Sequence, residues 1–166
     1  MVIRYETDAD IDAITKITMA AFADCAYGNH TEQFIVTALR AAEALSVSLV
    51  AEIDGRVVGH AAFSPVTIDG KTCDWYGLGP VSVVPEVQRQ GIGSALINEG
   101  LRLLKEAGGK GCVLVGDPNY YVRFGFRNVP ELTLEGVPPE VFQALPFGDD
   151  VPRGAVVFHD AFFATE

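Results

Sequence analysis

The segment from Val81 to Leu104, VSVVPEVQRQGIGSALINEGLRLL, predicts a strand, a loop and a helix in succession. The β-branched run at residues 81–84 favours a strand, and Pro85 ends it because proline has no backbone N–H to donate to a sheet. After a polar turn, apolar residues recur at the spacing of one helix face, at Ile92, Leu96, Leu103 and Leu104. The segment therefore predicts a helix that begins directly after a strand and a glycine-containing loop.

Two glycines, Gly91 and Gly93, stand at the start of this predicted helix. The first turn of a helix has unpaired N–H groups and the positive end of the helix dipole, and glycine lets an anion approach the backbone closely. A P-loop is excluded because Ser94-Ala95 follows Gly93 instead of Lys and Ser or Thr, and a dinucleotide fingerprint is excluded because Leu96 replaces its third glycine. The loop therefore predicts a phosphate site of another kind, with a turn that binds nothing as the alternative.

The spacing Gln88-x-x-Gly91-x-Gly93, after a Val-x-Val-x-Pro strand end, resembles the acetyl-CoA loop of the GNAT acetyltransferase superfamily. In that family the first position is commonly Arg or Gln. The resemblance implies that Val81, Ser82 and Val83 hold the pantetheine arm through backbone hydrogen bonds, and that the N–H of Val83 faces the thioester oxygen. It also implies that the pyrophosphate is held by the loop, at Gln88, Arg89, Gln90, Gly91, Ile92, Gly93 and Ser94.

A second motif, YYVRFGF from Tyr120 to Phe126, is similar to the GNAT segment that follows the fifth strand. With the preceding GDP at residues 116–118, it resembles a bacterial subgroup of N-acetyltransferases whose substrates are mostly unassigned. The resemblance implies that Tyr121 protonates the departing thiolate, a nearly balanced transfer because phenols and thiols have pKa values near 10 and 8.5. Packing in the core is the alternative role for Tyr121. Asn119 is expected either to hydrogen-bond the cofactor or to face solvent.

The chain before this segment begins with a predicted strand at Val2–Tyr5 and a capping box at Thr7 and Asp10. A loop is predicted at residues 24–30, with Gly28-Asn29 as its turn and His30 as either a base or a solvated side chain. Thr31 is placed to cap a second helix. The two predicted helices bury apolar faces, the first through Ile11, Ile14, Ile17, Ala21 and Phe22 and the second through Phe34, Ile35, Ala38 and Leu39.

Three antiparallel strands are predicted next, at residues 46–53, 56–68 and 73–84. Asp54-Gly55 and Asp69-Gly70 supply the turns between them, and Pro65 indicates an edge or a bulge. After the central helix, which Gly108-Gly109 ends, residues 112–115 predict a buried strand parallel to its predecessor. Pro118 then begins a short helix capped by Asp117, and residues 155–158 predict the last strand.

Composition limits the function further. With 166 residues, 49% of them hydrophobic, the chain is expected to form one domain, residues 1–166, with a packed core. No apolar run reaches membrane-spanning length, and the net charge of −10 disfavours a nucleic-acid partner. That acidity either concentrates a cationic substrate or only confers solubility. Cys25, Cys73 and Cys112 show no Cys-x-x-Cys spacing, which disfavours a disulfide framework and a metal site and favours a cytoplasmic location.

The resemblance implies an α/β protein of GNAT fold, with a mixed, mostly antiparallel sheet flanked by helices and an acetyl-CoA cleft between the fourth and fifth strands. The implied activity is direct transfer of the acetyl group of acetyl-CoA to a primary amine of a small molecule or peptide. Because GNAT domains often dimerise, the resemblance also implies a possible homodimer. An acetyl-CoA sensor without turnover and a scaffold that binds no CoA are the alternatives. The base is left open: Glu52, His60, Asp74 and Glu86 are the candidates, and the resemblance equally allows a chain of water molecules with no side-chain base.

Overall fold

The computed structural model describes residues 1–24 and 30–166; the predictions at Cys25 and at Gly28-Asn29 lie outside the described residues. The helices are α1 (Ile11–Phe22), α2 (Glu32–Ala41), α3 (Ile92–Glu106) and α4 (Pro118–Tyr121). The strands are β1 (Val2–Tyr5), β2 (Val47–Ile53), β3 (Arg56–Ile68), β4 (Lys71–Val83), β5 (Gly111–Val115), β6 (Leu132–Thr133), β7 (Phe142–Pro146) and β8 (Gly154–Val157).

The strands form a mixed sheet in the order β1-β2-β3-β4-β5-β7, with β8 paired to the end of β3 and β6 paired to β8. The β4–β5 and β6–β8 pairs are parallel, and the others are antiparallel. α3 connects β4 to β5 as the crossover that a parallel pair requires. The predicted mostly antiparallel sheet, with its parallel fourth and fifth strands, is confirmed.

Helices cover both faces of the sheet. α3 packs on the face of the sheet toward which a side chain at position 59 of β3 would point, because a Cβ at Gly59 would stand 3.1 Å from the side chain of Ile92. His60, the next residue, faces the opposite side and lies across from Val50 of β2, which packs against Ile14 of α1 in a cluster shared with α2. The site described below therefore has α3 on one side of the sheet and α1 with α2 on the other.

Local turn chemistry explains several boundaries. The capping box at Thr7 and Asp10 is present, with the N–H of Thr7 donating to the Asp10 carboxylate at 2.7 Å. α3 ends in a Schellman motif: Gly108 has φ 88°, and the N–H of Gly109 donates to the carbonyl oxygen of Leu104 at 2.8 Å. The strand register shifts beside Pro65, as predicted for a proline within a strand.

Several features of the chain differ from the predictions, and the short strand β6 is one that was not predicted. Thr31 lies at the N-cap of α2, but its side chain makes no capping hydrogen bond. The buried face of α2 is rotated relative to the predicted one: it includes Val36, and Phe34 is only half-buried. β7, which the sequence analysis did not predict, adds an antiparallel strand to β5. Its sequence, FQALP, lacks the apolar–polar alternation of a half-buried strand and ends at Pro146, a residue uncommon inside sheets.

β4 and β5 separate where the site forms. Their parallel pairing ends at Gly77 and Val113, although β4 continues to Val83 and β5 to Val115. In the same stretch β4 bulges against β3, because Leu78 pairs with Phe63 while Val81 pairs with Ala61. The separation leaves a gap between two neighbouring strands at the centre of the sheet.

Candidate active site

A cavity of about 580 Å³ opens at this gap and is bordered by α3. We call it the first cavity. Nine of the residues predicted to form the site line it, namely Val81, Val83, Gln88, Arg89, Gly91, Ile92, Gly93, Ser94 and Tyr121. Four lining residues were not predicted, namely Ala21, Phe22, Tyr120 and Arg123.

The backbone of β4 presents to this cavity hydrogen-bonding groups that β3 does not use. The N–H of Val84 donates to the carbonyl oxygen of Val58 on β3 at 2.9 Å. Successive residues of an antiparallel strand alternate toward and away from the partner strand, so the N–H and C=O groups of Val81 and Val83 point away from β3. The Val83 carbonyl accepts a hydrogen bond of 2.9 Å from Nε2 of Gln88, which agrees with that orientation.

The N-terminus of α3 forms the opposite wall. Gly91, with φ 84°, is the residue before the helix, and the first hydrogen bond of α3 runs from the N–H of Ala95 to the Gly91 carbonyl at 3.0 Å. The N–H groups of residues 92–94 therefore precede the hydrogen-bonded turns. A Cβ at Gly93 would stand 3.4 Å from Oη of Tyr120, in the space that the cavity occupies. A small anion fits this wall because the helix dipole and the free N–H groups favour negative charge.

Two cations, Arg89 and Arg123, add to the positive character of this wall. The Arg123 guanidinium lies over the ring of Tyr120 at 4.4 Å from its centroid, and its Nε donates to the Tyr120 carbonyl at 3.0 Å. Oη of Tyr120 lies 3.2 Å from Oγ of Ser94 at the start of α3. The sequence analysis missed Tyr120 and Arg123, although both belong to the YYVRFGF motif and lie on the same short helical segment as Tyr121.

Tyr121 is held by α4 and by the turn that follows it. The Asp117 carboxylate caps α4 by accepting from the N–H of Asn119 at 2.9 Å, and Gly125, with φ 95°, ends the segment. A Cβ at Gly116 would stand 2.6 Å from the Tyr121 ring, so the ring needs glycine there. The ring also packs against that of Phe126 in a T-shaped pair with centroids 6.1 Å apart.

Burial raises the pKa of Tyr121 to about 12, with smaller contributions from Tyr120 and Asp117. The phenol therefore keeps its proton at any working pH. The raised pKa of the phenol increases the difference from a thiol of ordinary pKa, near 8.5. Desolvation of a thiolate in the same cavity raises the thiol pKa as well, which makes the difference between the two pKa values smaller.

Three predicted residues do not line the first cavity. Ser82 is 1% exposed and points to the opposite face of the sheet, where it lies across from His60. Gln90 and Asn119 are exposed, Gln90 in the loop and Asn119 on α4. The Ser82 side chain points away from the first cavity because side chains alternate along a strand and those of Val81 and Val83 face the cavity.

None of the base candidates named from the sequence lines the first cavity. Glu52 pairs with Arg4 at 3.1 Å, and Asp74 and Glu86 are exposed. His60 is fully buried, and its Nε2 lies 2.8 Å from Oγ of Ser48. Burial lowers the pKa of His60. His30 is exposed.

A second cavity, also of about 580 Å³, opens at the same gap between β4 and β5. Leu78, Gly79 and Pro80 of β4 and Val115 of β5 border it, and Phe22 of α1 lines both cavities. The buried carboxylate at this gap is Glu32 of α2, which lines the second cavity and was not predicted.

Membrane spans and metal clusters are both absent from residues 1–24 and 30–166. No helix there combines the length and the apolar character needed to cross a membrane. Within the same ranges, no cluster of three or more His, Cys, Asp or Glu side chains is placed to hold a metal ion.

Comparison with known proteins identifies the family. Residues 2–129 match the family model described as the acetyltransferase (GNAT) domain. The chain is 34% identical over 169 residues to the uncharacterized N-acetyltransferase YhbS of Escherichia coli K12, with 98% of both proteins covered. The crystal structure of E. coli YhbS in complex with CoA shares 31% identity and a TM-score of 0.85, with 99% of this chain and 93% of that one covered.

A crystal structure of a GNAT family acetyltransferase from Brucella melitensis, in complex with acetyl-CoA, is more similar still, with 53% identity, a TM-score of 0.88 and 97% of both chains covered. These matches confirm the fold and the family that the two motifs indicated. The chain belongs to the GNAT acetyltransferase family and is an acyltransferase of that family.

Proposed function

We propose that this chain transfers the acetyl group of acetyl-CoA directly to a primary amine, with both substrates bound at once. The observation that carries the proposal is the first cavity, where the outward edge of β4 meets the N-terminus of α3 and two arginines. The edge suits the amides of a pantetheine arm, and the helix terminus suits a pyrophosphate. The similar proteins from B. melitensis and E. coli were crystallised with acetyl-CoA and with CoA, which supports the choice of ligand.

The roles of the residues follow from their positions. The loop from Gln88 to Ser94 holds the pyrophosphate through backbone N–H groups, with Arg89 as a nearby cation. The N–H of Val83 donates to the thioester oxygen, and that of Val81, which lies nearer the point where the strands separate, donates to a pantetheine amide. A donor at that oxygen stabilises the negative charge that develops when the amine attacks the carbonyl carbon.

Tyr121 supplies the proton for the departing thiolate, the proton that the attacking amine loses passes to solvent, and solvent then reprotonates the phenolate. Its raised pKa keeps the phenol protonated, and its side chain lines the first cavity close to the gap. The second cavity opens at the same gap, so the amine approaches the acetyl group from the side opposite α3. Holding both reactants at one gap in the sheet makes the transfer effectively unimolecular.

Two measurements on the purified chain test the proposal. Calorimetry should show acetyl-CoA binding, and a thiol assay should show CoA release that depends on an added primary amine. Binding without amine-dependent thiol release would identify a sensor, and no CoA binding at all would identify a scaffold. Cys73 and Cys112 are unpaired among the described residues, which supports the proposal that the enzyme works in the reducing cytoplasm.

A further inference from the structure

The second cavity is apolar on most of its surface. Its walls come from α1, α2, the segment after β6 and the C-terminal segment after β8, through residues such as Phe22, Ile35, Val137, Phe158 and Phe162. Its volume of about 580 Å³ lies within the range of small-molecule sites. Such walls accept hydrocarbon and reject ligands with many polar groups, because those groups would lose their hydrogen bonds to water.

One charged group lies buried in this apolar surface. Glu32, in the first turn of α2, is only 9% exposed. Its Oε1 is shielded from solvent and has no hydrogen-bond partner among residues 1–24 and 30–166. A buried carboxylate without a partner is costly to fold, and a bound cation would offset that cost.

The other charges of the second cavity agree with a cationic ligand. Glu135, an exposed carboxylate, is its second charged lining residue, and within the described chain no Lys, Arg or His lines it. The first cavity has the opposite character, since Arg89 and Arg123 line it and no carboxylate does among the same residues. The two cavities at one gap therefore suit ligands of opposite charge.

We propose that the second cavity binds the acceptor, and that the acceptor is a small primary monoamine with an apolar body whose ammonium group pairs with Glu32. This inference rests on the proposed function and adds the substrate class. The ammonium lies at Glu32 and the hydrocarbon fills the space between the aromatic and aliphatic walls. Leu78 and Pro80 line the same cavity at the gap between β4 and β5, and there the amine, once it has lost a proton to solvent, would reach the acetyl group.

An acceptor series on the unmodified chain tests the substrate class. We expect kcat/KM for 2-phenylethylamine and 3-methylbutylamine to exceed that for ethanolamine, spermidine and a short peptide with a free N-terminus by at least tenfold. A polar amine, a polyamine or the peptide as the best acceptor would overturn the inference. Because this series uses the unmodified chain, its outcome does not depend on the folding of a variant.

Two variants test the role of Glu32. Glu32→Gln keeps the shape and removes the charge, so the KM for 2-phenylethylamine should rise at least tenfold while kcat changes less than threefold. Glu140→Gln removes the same charge from an exposed residue that lines neither cavity, so its KM should change less than twofold. Equal KM values for the two variants would overturn the assignment of Glu32.

A third measurement separates this inference from the proposed function. Acetyl-CoA affinity, measured by calorimetry, should be the same in Glu32→Gln as in the unmodified chain, since Glu32 does not line the first cavity. If the unmodified chain binds acetyl-CoA but none of the amines tested causes it to release thiol, the proposed function fails. If thiol is released with polar amines and Glu32→Gln has no effect, only the substrate class fails.

Discussion

The side-chain amide of Gln88 donates a 2.9 Å hydrogen bond to the carbonyl oxygen of Val83. The contact joins the start of the glycine loop to the outward edge of β4, so the strand and the loop form one continuous surface along the first cavity. It also shows that the Val83 carbonyl is accessible to an amide donor from the cavity side. A pantetheine amide is such a donor, and it would take the place of the Gln88 side chain.

The loop glycines provide the first prediction. Gly93→Val puts methyl groups into the cavity beside Oη of Tyr120, where the Cβ alone already stands at 3.4 Å. We expect calorimetry to show acetyl-CoA binding weakened at least tenfold, about 1.4 kcal/mol. Gly148→Val is the matched control, because a Cβ there meets nothing within 4 Å and the residue lies outside both cavities. Unchanged affinity in a folded Gly93→Val chain would contradict the phosphate site.

Turn and loop chemistry was readable from the sequence because it is local. Asp54-Gly55 does join β2 to β3, Gly108-Gly109 does end α3, and the parallel β5 does follow the crossover helix. The sequence did not distinguish the two loop glycines: Gly91 has a left-handed φ of 84°, whereas Gly93 lies in the first helical turn, where a Cβ would make ordinary contacts with Tyr120 and Val83.

The acceptor side could not be predicted, because it is assembled from distant parts of the chain. Glu32 begins a helix, where carboxylates are normally solvated, but in the fold it is buried and lines the second cavity together with Phe162 of the C-terminal segment. No local pattern indicates that a residue near position 30 will meet one near position 160. β7 could not be predicted for a similar reason, since its pairing with β5 depends on tertiary context.

Tyr121→Phe tests the proposed acid. The change keeps the packing against Phe126 and removes only the hydroxyl, so kcat should fall by roughly 10²-fold, in the range of general-acid catalysis. Acetyl-CoA affinity should change less than threefold, because the strand edge and the loop supply most contacts. Tyr5→Phe, at an exposed position on β1, is the control. Full activity of Tyr121→Phe at a chemistry-limited rate would make solvent water the donor.

The pKa of Tyr121 also predicts the alkaline side of the pH profile. With this pKa raised to about 12, the acid stays protonated through the accessible range. The kcat value should therefore not decline between pH 7 and pH 10 in a chain that remains folded. A descending limb near pH 9 that is absent from Tyr121→Phe would show that the phenol ionises much earlier and would contradict the effect of burial.

A buried polar cluster predicts how stability depends on pH. Burial alone would raise the pKa of Glu6, but His60, whose Nε2 lies 3.7 Å from the carboxylate, and Arg40 and Ser48, which donate hydrogen bonds to it, outweigh that effect and lower the pKa to about 2. The ionised carboxylate therefore stabilises the fold fully above its unfolded value near 4.5, and this stabilisation is lost as the pH falls toward 2.

Glu6→Gln measures that contribution. The shift corresponds to a stabilisation on the order of 3 kcal/mol at pH 7, and urea unfolding should show a loss of up to that size. The difference between Glu6→Gln and the unmodified chain should stay constant from pH 7 to pH 5.5 and narrow below about pH 4.5. A gap that widened on acidification would mean that the pKa of Glu6 is raised in the folded chain.

Arg89 provides the last prediction, which separates a phosphate role from a general effect on the loop. Arg89 is exposed, lines the first cavity and lies two residues before Gly91 at the start of α3. If it interacts with the pyrophosphate, Arg89→Gln should weaken acetyl-CoA binding three- to tenfold at low salt, and the difference should shrink as salt screens the charge. The KM for S-acetylpantetheine, which has no pyrophosphate, should be unchanged. Arg56→Gln, on the β2–β3 hairpin away from the first cavity, is the control for net charge. An equal loss for acetyl-CoA and S-acetylpantetheine would assign Arg89 to loop structure, because S-acetylpantetheine lacks the phosphates and the adenosine that Arg89 could contact.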